Sequence, residues 1–389
     1  MSAPLTRKQF LGRAATGGAA LTVPGFLSAC GTSVNNAGKA ATTQHVTKKL
    51  AKTLNFDNWP LYIDVSKSHK HPSLEQFTKQ YGVQVNYVEN INDNQSFFGK
   101  IQGPLSRGEG IGADLIVMTD SSGYPQKLIQ LGWLEKLYKP AIPNIKNLVP
   151  SQQNPSWDPN RDYSLPWQSG MTGIGYDPNK VGYELTSVEK LLSDPKLKGK
   201  ITLLNELSDT VGLIMLANGD DPAKVTKTTW NRAMNTIQKA VNSGQIRQFT
   251  GNDYAPLLAN GSIWACFAWS GDLVQLKADH PGLKWTLPDT GGMLWTDNML
   301  IPLKGDVYTA STYMNFYYTP KVAAEVEDYV NYVCPVQGAD QVLVKQDPAV
   351  AKDPLIFPTK AMYAKTHPFD PVAVNNQAYK QQFQNVIGA

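Results

Sequence analysis

Trp295 and Asp297 stand two positions apart in a stretch, residues 291–302, that opens with two glycines and continues with residues typical of a β-strand. Side chains two positions apart on a strand leave on the same face. An aromatic ring attracts an ammonium group through its quadrupole, and a carboxylate accepts the hydrogens of that group. The pair therefore predicts a site for a cationic group. A buried tryptophan beside a surface aspartate is the alternative interpretation.

The sequence lacks the motifs of common metal and nucleophile sites. Its five histidines form neither an HExxH motif nor a cluster of ligands, and it contains no Gly-x-Ser-x-Gly motif. The glycines of residues 108–112 precede a predicted strand instead of following one, which is the wrong order for a dinucleotide-binding loop. We therefore expect no metal ion and no cofactor.

The balance of charges argues against nucleic acid as a partner. Lysine and arginine number 36, aspartate and glutamate 32, and the net charge is +4. Arg7, Lys8 and Arg13 are the only charges before Cys30, so the remainder of the chain carries 4 − 3 = +1. Nucleic-acid binding calls for a clustered basic face, which this nearly neutral remainder does not predict. The remainder is long enough for two domains.

Residues 1–29 have the plan of an export signal. A basic opening precedes an apolar, small-residue run at residues 14–27, which is too short and too often broken by glycine and proline to span a membrane. The sequence Leu-Ser-Ala-Cys-Gly at residues 27–31 is similar to a bacterial lipobox, in which Cys30 bears the lipid. An ordinary signal peptide with an incidental cysteine is the alternative.

The export route stays open between the general secretory pathway and the twin-arginine pathway. Lys8 stands where the second arginine of a twin-arginine signal would follow Arg7. Residues 30–52 are rich in Ser, Thr, Asn, Gly, Ala and Lys without periodicity, a composition typical of a flexible tether. These segments together predict a folded body held to a membrane by a lipid alone.

The first part of this body alternates strands and helices. We predict strands at residues 54–56, 83–88 and 113–119, and helices at residues 73–81 and 125–131. Strands that alternate with helices at this spacing favour a parallel sheet with helices on its faces. The predicted fold class is therefore α/β.

Two extended, glycine-containing stretches predict two lobes. Residues 162–176 lead into a second set of strands and helices, and residues 291–302 lead back. Two lobes joined by such crossings form a hinge with a central cleft, where ligands bind at the carboxyl ends of the strands. The predicted bounds are residues 53–165 plus 296–339 for lobe 1 and residues 166–295 plus 340–389 for lobe 2.

Cys266 and Cys334 are the two cysteines that follow Cys30. In an exported protein they could form a disulfide. A body of this size does not need one, and the sequence does not supply the geometry, so both states stay open.

A series of short motifs follows in order along residues 54–335. They are Asn58-Trp59 with Tyr62, Asp114-Leu115-Ile116-Val117, Asp162-Tyr163-Ser164-Leu165-Pro166, and Gly291-Gly292-Met293-Leu294-Trp295-Thr296-Asp297 with Ile301-Pro302. With these motifs the chain resembles the polyamine-binding proteins of bacterial ABC importers, the spermidine/putrescine-binding (PotD-like) family. The resemblance implies a type II periplasmic-binding-protein fold, whose two lobes close over an extended cation without chemical reaction.

The resemblance also implies a set of ligand-binding residues, most of them aromatic. Rings beside an ammonium group add about 0.5–2 kcal/mol each, and a carboxylate pairs with an amine. Packing in the core is the alternative for each ring. The matched positions are Trp59 and Tyr62 in a first-lobe wall, Trp269 in the second lobe, Trp295 and Asp297 at the hinge, and Tyr332 late in the chain.

The chain departs from the family where a second-lobe helix begins. Leu207 and Thr210 occupy the two positions at which the family has acids, and Glu206 and Asp209 are each displaced by one. Acids spaced by three share a helical face, so this pair could still meet an amine. Capping of the helix by Asp209 is the alternative.

A second departure lies in a first-lobe loop. Thr119 keeps the hydroxyl of the family pattern there, whereas Ser121 lacks its ring. Trp167, next to the crossing, either adds a ring to the site or packs the hinge. The resemblance therefore implies a cationic ligand, and it leaves the ligand's length and second anchoring point open.

Taken together, these features predict a lipid-anchored substrate-binding protein of an ABC importer, on the outer face of the cytoplasmic membrane. It would capture a polyamine by lobe closure and deliver it to a permease and its ATPase subunits, as a monomer that meets the membrane only through its lipid. The same fold with another small solute is one alternative. An exported enzyme with Asp297 and Glu206 as paired carboxylates is another, and an adhesion protein that binds no small molecule is a third.

Overall fold

A computed structural model of the chain describes residues 46–388. Its strands are β1 (Thr53–Asn58), β2 (Gln84–Glu89), β3 (Leu115–Thr119), β4 (Ser164–Tyr176), β5 (Ile201–Leu204), β6 (Ile246–Thr250), β7 (Ala265–Trp269), β8 (Lys284–Thr286), β9 (Gly292–Leu300) and β10 (Thr366–His367).

Sixteen α-helices occur among the described residues. They are α1 (Pro72–Tyr81), α2 (Asn94–Ser106), α3 (Tyr124–Gln130), α4 (Pro178–Val181), α5 (Val188–Ser193), α6 (Leu207–Ala217), α7 (Lys227–Asn242), α8 (Tyr254–Ala259), α9 (Ser270–Asp279), α10 (Val307–Tyr317), α11 (Pro320–Val330), α12 (Ala339–Gln346), α13 (Pro348–Lys352), α14 (Lys360–Tyr363), α15 (Pro371–Val374) and α16 (Gln377–Ile387). Short 3-10 turns lie at Asp120–Ser122, Lys139–Ala141, Pro143–Asn147, Pro150–Gln152 and Pro195–Leu197.

The strands form one mixed sheet in the order β2-β1-β3-β9-β4-β7-β5-β6, with β10 beside β9 and β8 beside β4. β1 runs parallel to β2 and β3, and β5 runs parallel to β6 and β7. Because helices cover parallel strands on both faces, such strands read as continuous apolar runs. β3 and β5, with the sequences Leu-Ile-Val-Met-Thr and Ile-Thr-Leu-Leu, fit this rule.

The long strands β4 and β9 belong to both halves of this sheet. They run antiparallel, with Ser164 opposite Leu300 and Thr172 opposite Met293. One end of β9 also pairs with β3, and the opposite end of β4 pairs with β7. The two predicted crossings are therefore β4 and β9, and the predicted α/β class is confirmed.

Trp167 sits at an irregularity in β4. The pairing register with β9 shifts between Pro166 and Gln168, so Trp167 is an extra residue of the kind found in a β-bulge. Its indole is fully buried, donates from Nε1 to the carbonyl oxygen of Tyr62 at 3.2 Å, and lies 4.3 Å from the ring centre of Tyr317. Of the two interpretations of Trp167, packing at the crossing strands is the correct one.

Local sequence signals set several helix ends. Gly82 follows α1 with φ of 69°, a left-handed conformation that glycine adopts without strain. The Thr226 hydroxyl accepts a hydrogen bond from the backbone N–H of Thr229 at 3.2 Å and caps α7. The predicted helices at residues 73–81 and 125–131 correspond to α1 and α3 within one residue.

The helices α2 and α9 were not predicted from the sequence. α2 contains Gly99, Gly103 and Pro104, residues typical of loops. The helix forms because Phe97, Ile101 and other residues one turn apart are buried against the core. Burial of this apolar stripe outweighs the weak helix propensity of the glycines.

The predicted signal peptide, Cys30 and most of the predicted tether lie outside the described residues. Of the last tether residues, Val46 and Leu50 are half-buried against the core, and the N–H of Ala51 donates to Oγ1 of Thr309 at 2.9 Å. Residues 46–52 therefore contact the folded body. Among residues 46–388, no helix combines the length and apolar character needed to cross a bilayer.

Cys266 and Cys334 are free thiols buried in the body. The Cys266 thiol lies 3.6 Å from the carbonyl oxygen of Gly175, and the Cys334 thiol lies 3.8 Å from that of Val336. Of the two states that the sequence left open, the structure has the reduced one.

Candidate functional site

A cavity lies between the two halves of the sheet, beside the crossing strands. Side chains from the β1 and β3 ends line one side, and side chains from the β5 and β7 ends line the other. All nine side chains predicted to bind ligand line this cavity, and their binding role stays a prediction. They are Trp59, Tyr62, Thr119, Glu206, Asp209, Trp269, Trp295, Asp297 and Tyr332.

Asp297 lies at the centre of β9, directly opposite Thr119 of β3. The Thr119 hydroxyl donates to Oδ1 of Asp297 at 2.6 Å, and the Tyr62 hydroxyl donates to Oδ2 at 2.7 Å. Burial raises the pKa of Asp297 to about 7, although these two donors favour its ionised form. Asp297 is therefore a buried carboxylate whose direct partners are neutral hydroxyls.

Asp209 lies in the first turn of α6 and is almost fully buried. Its Oδ1 accepts from the Thr172 hydroxyl at 2.9 Å, and its Oδ2 accepts from Nε1 of Trp269 at 2.9 Å. Burial raises the pKa of Asp209 to about 6. The helix N-cap is Glu206, so the alternative in which Asp209 caps the helix is wrong.

Glu206 precedes α6 and reaches toward the other half of the sheet. Its Oε1 accepts from the backbone N–H of Asn94 at 3.3 Å and from Nδ2 of the same residue at 3.2 Å. Burial first, and then the nearby Asp209 and Asp93, raise the pKa of Glu206 to about 7. The spacing of three between Glu206 and Asp209 thus places both carboxyl groups on the cavity, as predicted.

Asp272 is an acidic wall residue that the sequence analysis missed. It lies in α9, and it accepts hydrogen bonds from the hydroxyls of Tyr254 at 2.6 Å and Tyr332 at 2.5 Å. Burial raises its pKa. One sequence feature could have indicated Asp272 as a site residue. It stands three residues after Trp269, at the start of a helix that follows a buried strand.

Four carboxyl groups and no basic side chain face the cavity among the described residues that line it. Neutral donors lower the cost of burying a carboxylate but do not balance its charge. A set of buried acids without a cation favours a cationic ligand. The four are Glu206, Asp209, Asp272 and Asp297. Within residues 46–388, no group of three or more acidic, histidine or cysteine side chains is arranged to hold a metal ion.

Aromatic rings form another part of the cavity wall. Trp295 lies with its ring centre 5.6 Å from that of Tyr332 and 6.3 Å from that of Trp269, and Tyr62 lies 5.2 Å from Tyr332. Trp59 donates from Nε1 to a β3 carbonyl oxygen at 3.2 Å. These rings present π-faces and edges to a slot that suits a methylene chain ending in ammonium groups.

Two glycines make room for these rings. A Cβ at Gly170, directly opposite Trp295 in the sheet, would lie 2.3 Å from the indole. A Cβ at Gly271 would likewise lie 2.3 Å from the ring of Tyr332. Both aromatic side chains therefore depend on a glycine for their position.

A hydrogen-bonded chain links two of the tryptophans. Nε1 of Trp295 donates to the Thr172 hydroxyl at 3.0 Å, and that hydroxyl donates to Asp209, whose other oxygen accepts from Trp269. Each indole N–H thus has a partner in the cavity wall.

Further lining residues were also missed by the sequence analysis. Asn94 opens the unpredicted helix α2, and its Nδ2 donates to Thr119 Oγ1 at 2.9 Å as well as to Glu206. Ser121, considered only for its lack of a ring, does line the cavity. The other missed residues are Pro60, Leu61, Ser208 and Asn252. None of these residues carries a spacing signal that would mark it as part of a site.

A family model of bacterial extracellular solute-binding proteins matches residues 73–359, well over half of the chain. The chain belongs to this family. The match spans strands from both halves of the sheet and most of the cavity wall of this solute-binding protein, whereas β1 and the helices after residue 359 lie outside it.

Two curated relatives match this solute-binding protein over most of its length. Spermidine/putrescine-binding periplasmic protein 1 of Haemophilus influenzae is 25% identical over 373 residues, which cover 95% of this chain and 99% of the relative. The spermidine/putrescine-binding periplasmic protein of Escherichia coli is 25% identical over 340 residues, covering 86% and 91%. The predicted family resemblance is confirmed. The family is one of solute-binding proteins, so the enzyme alternative is wrong.

Solved structures share the fold of this solute-binding protein. The spermidine/putrescine ABC transporter substrate-binding protein PotD of Streptococcus pneumoniae has a TM-score of 0.70 at 22% identity, covering 86% of this chain and 97% of that one. The TpPotD lipoprotein of Treponema pallidum has a TM-score of 0.71 at 19% identity, covering 87% and 100%. The predicted two-lobed periplasmic-binding-protein fold is confirmed.

Proposed function

We infer that this chain binds a polyamine, a spermidine- or putrescine-like cation, and supplies it to an ABC importer. One observation carries the inference, namely that four carboxyl groups, of which those of Asp209 and Asp297 are buried, meet on an aromatic-walled cavity without a basic lining residue among those described. A polyamine consists of several ammonium groups joined by methylene segments. The ammonium groups would pair with the carboxyl groups, and the methylene segments would lie between the aromatic rings. The names of the curated relatives support the same ligand class.

Lobe closure is the proposed means of capture. The cavity wall takes Trp59, Tyr62 and Thr119 from one half of the sheet and Asp209 and Trp269 from the other, so a ligand would contact both. A ligand that bridges two lobes stabilises their closed arrangement, since it binds that arrangement better. The two strands β4 and β9 would act as the hinge, and the permease would recognise the closed form.

The proposed setting is outside the cytoplasmic membrane. The export signal at residues 1–29 and the lipobox-like cysteine at Cys30 support a monomer anchored by lipid to the outer face of that membrane, in the periplasm or at the cell surface. From there it would pass its ligand to a membrane permease and the associated ATPase subunits.

Calorimetric titration of the full chain with putrescine, spermidine and spermine, each at low and high salt, tests the proposal. Saturable binding in the micromolar range or tighter, weakened by salt, is the expected result. Absence of binding by all three amines, in a protein that unfolds cooperatively, would contradict the polyamine assignment. A different small solute would then have to be sought for the same fold.

A further inference from the structure

A second cavity adjoins the first one beyond Glu206. Glu206 and Ser208 line both cavities, so the Glu206 carboxyl group stands at the boundary. The wall of the second cavity also includes Asp93, Tyr124 and Lys380, and Nζ of Lys380 lies over the ring of Tyr124. Among the described residues that line it, Lys380 is the only basic one. An extended ligand that passed Glu206 would therefore meet a cation supplied by the protein.

Lys380 is held in place by the C-terminal helix α16, which packs on α7. The ring of Tyr379 stacks on Trp230 at 4.2 Å between centres, and Nε1 of Trp230 donates to Oε1 of Gln382 at 2.8 Å. On the other side of the helix, Nζ of Lys380 lies 4.3 Å from the ring centre of Tyr124 in α3. Contacts with two other helices thus fix a half-buried ammonium group near the end of the ligand cavity.

The charges around Lys380 agree with this position. Burial and the neighbouring Lys127 lower the pKa of Lys380 to about 8, and Glu206 acts in the opposite direction. The lysine therefore stays mostly protonated at neutral pH and acts on Glu206 as a nearby positive charge. In the absence of that charge, Glu206 and Asp93 would face the second cavity as acids without a cation.

We propose that Lys380 is a specificity-determining residue, whose ammonium group occupies the space beyond Glu206 in place of an additional ligand ammonium and so limits the length and charge of the solute. The inference rests on the proposed polyamine function and narrows it. The main cavity accepts a diamine, and a longer polyamine that extends past Glu206 meets like-charge repulsion in a partly desolvated site. The protein accordingly selects a short diamine over a tetraamine.

The test compares the affinities of the full chain and its variants for putrescine and spermine by calorimetry. Lys380→Met keeps most of the side-chain length and removes the charge, and Lys380→Arg keeps the charge. Lys127→Met is the matched control, because Lys127 lies over the ring of Phe98 at 4.6 Å and lines an outer pocket but neither of the two cavities. Thermal unfolding of each variant checks that the fold is kept.

The expected result is that Lys380→Met tightens spermine binding about tenfold or more and changes putrescine binding about threefold or less. Lys380→Arg and Lys127→Met should keep the wild-type ratio of the two affinities. An unchanged ratio in Lys380→Met, or an equal loss for both amines, would overturn the specificity role while leaving the polyamine function intact. Failure of the wild-type chain to bind either amine would overturn the polyamine function itself, together with this inference.

Discussion

The Tyr62 hydroxyl donates a hydrogen bond of 2.7 Å to Oδ2 of Asp297, a residue 235 positions later in the chain. Tyr62 follows β1, and Asp297 lies on the crossing strand β9. The bond orients the central carboxylate of the cavity with a neutral donor, and the Thr119 hydroxyl does the same for the other oxygen. The carboxylate is thereby held in position for a cation without being neutralised by one.

Asp297→Asn is expected to weaken polyamine binding about 100-fold or more. Removal of one partner of a buried charge pair costs about 2–5 kcal/mol, because the ligand ammonium is left desolvated without its counter-charge. The amide keeps the shape of the side chain and can still bond to Tyr62 and Thr119, so the variant should fold. Calorimetric titration measures the loss.

Asp289→Asn is the matched control for that substitution. Asp289 is exposed in the loop before β9 and accepts a hydrogen bond from Thr186 at 2.6 Å, outside the cavity. The affinity of the Asp289→Asn variant for the polyamine should match that of the wild type. An Asp297→Asn variant that binds as tightly as this control would refute the role of Asp297.

Ligand affinity and ligand-free stability should respond to pH in opposite directions. The pKa values of Asp297 and Glu206 are raised to about 7 and that of Asp209 to about 6, above those of the unfolded chain. Between about pH 4 and pH 7 the ligand-free folded state therefore binds more protons than the unfolded state, and the free energy of unfolding falls as pH rises. A cation needs the ionised carboxylates, so its affinity should rise from about pH 5.5 to pH 8.

Thermal unfolding without ligand and calorimetry with ligand, both across this pH range, check the two trends. The unfolding temperature of Asp297→Asn should depend less on pH than that of the wild type, since one of the titrating groups is gone. If the ligand affinity stays constant from pH 5.5 to pH 8, ionisation of these carboxyl groups does not control ligand binding, and the prediction is wrong.

Gly271→Ala should weaken ligand binding about tenfold while leaving the protein folded. The added Cβ would lie 2.3 Å from the ring of Tyr332, so that ring must move and its hydroxyl loses the contact with Asp272. Alanine favours the helix by about 1 kcal/mol over glycine, which offsets part of the packing strain. Calorimetry measures the loss of ligand affinity, and thermal unfolding measures the change in stability.

Gly282→Ala serves as its control. The nearest atom to a Cβ at Gly282 is 3.9 Å away, and the position does not have a left-handed φ. Binding by this variant should be unchanged. If both alanine variants bind like the wild type, the ring of Tyr332 does not contribute to the site.

The thiols of Cys266 and Cys334 should react with a thiol reagent only after the protein is unfolded. Burial raises the pKa of Cys266 and of Cys334, which disfavours the reactive thiolate form. In a Cys30→Ser variant, an aromatic disulfide reagent should find no reactive thiol in the folded protein and both thiols after unfolding in denaturant. An absence of thiol after unfolding without a reductant would indicate a disulfide between them.

Much of the site could be predicted because it follows from short, ordered motifs. Trp295 and Asp297 share a strand face by the alternation of side chains alone, and the structure places both on the cavity. Glu206 and Asp209 reach it from one helix start because a spacing of three brings side chains to one face. Trp167 could not be assigned in this way, because a one-residue register shift decides which side of a strand it occupies.

Asp272 and Asn94 were missed for a related reason. They belong to α9 and α2, whose sequences carry weak helix signals, and α2 forms through burial of residues such as Phe97 and Ile101. Helix formation that depends on tertiary packing is not visible in local propensity. Polar residues at the ends of such helices therefore enter the site without a sequence signal.

The sequence by itself determined which chemical groups line the cavity, since the spacings of its aromatic and acidic residues predict a shared wall that would suit a cation. The tertiary structure decided which groups surround each carboxyl group. It surrounds Asp297 with neutral hydroxyls and brings Lys380, 174 positions after Glu206, to the cavity that the two share. Electrostatic energy depends on distance and burial, and neither quantity exists until the chain is folded.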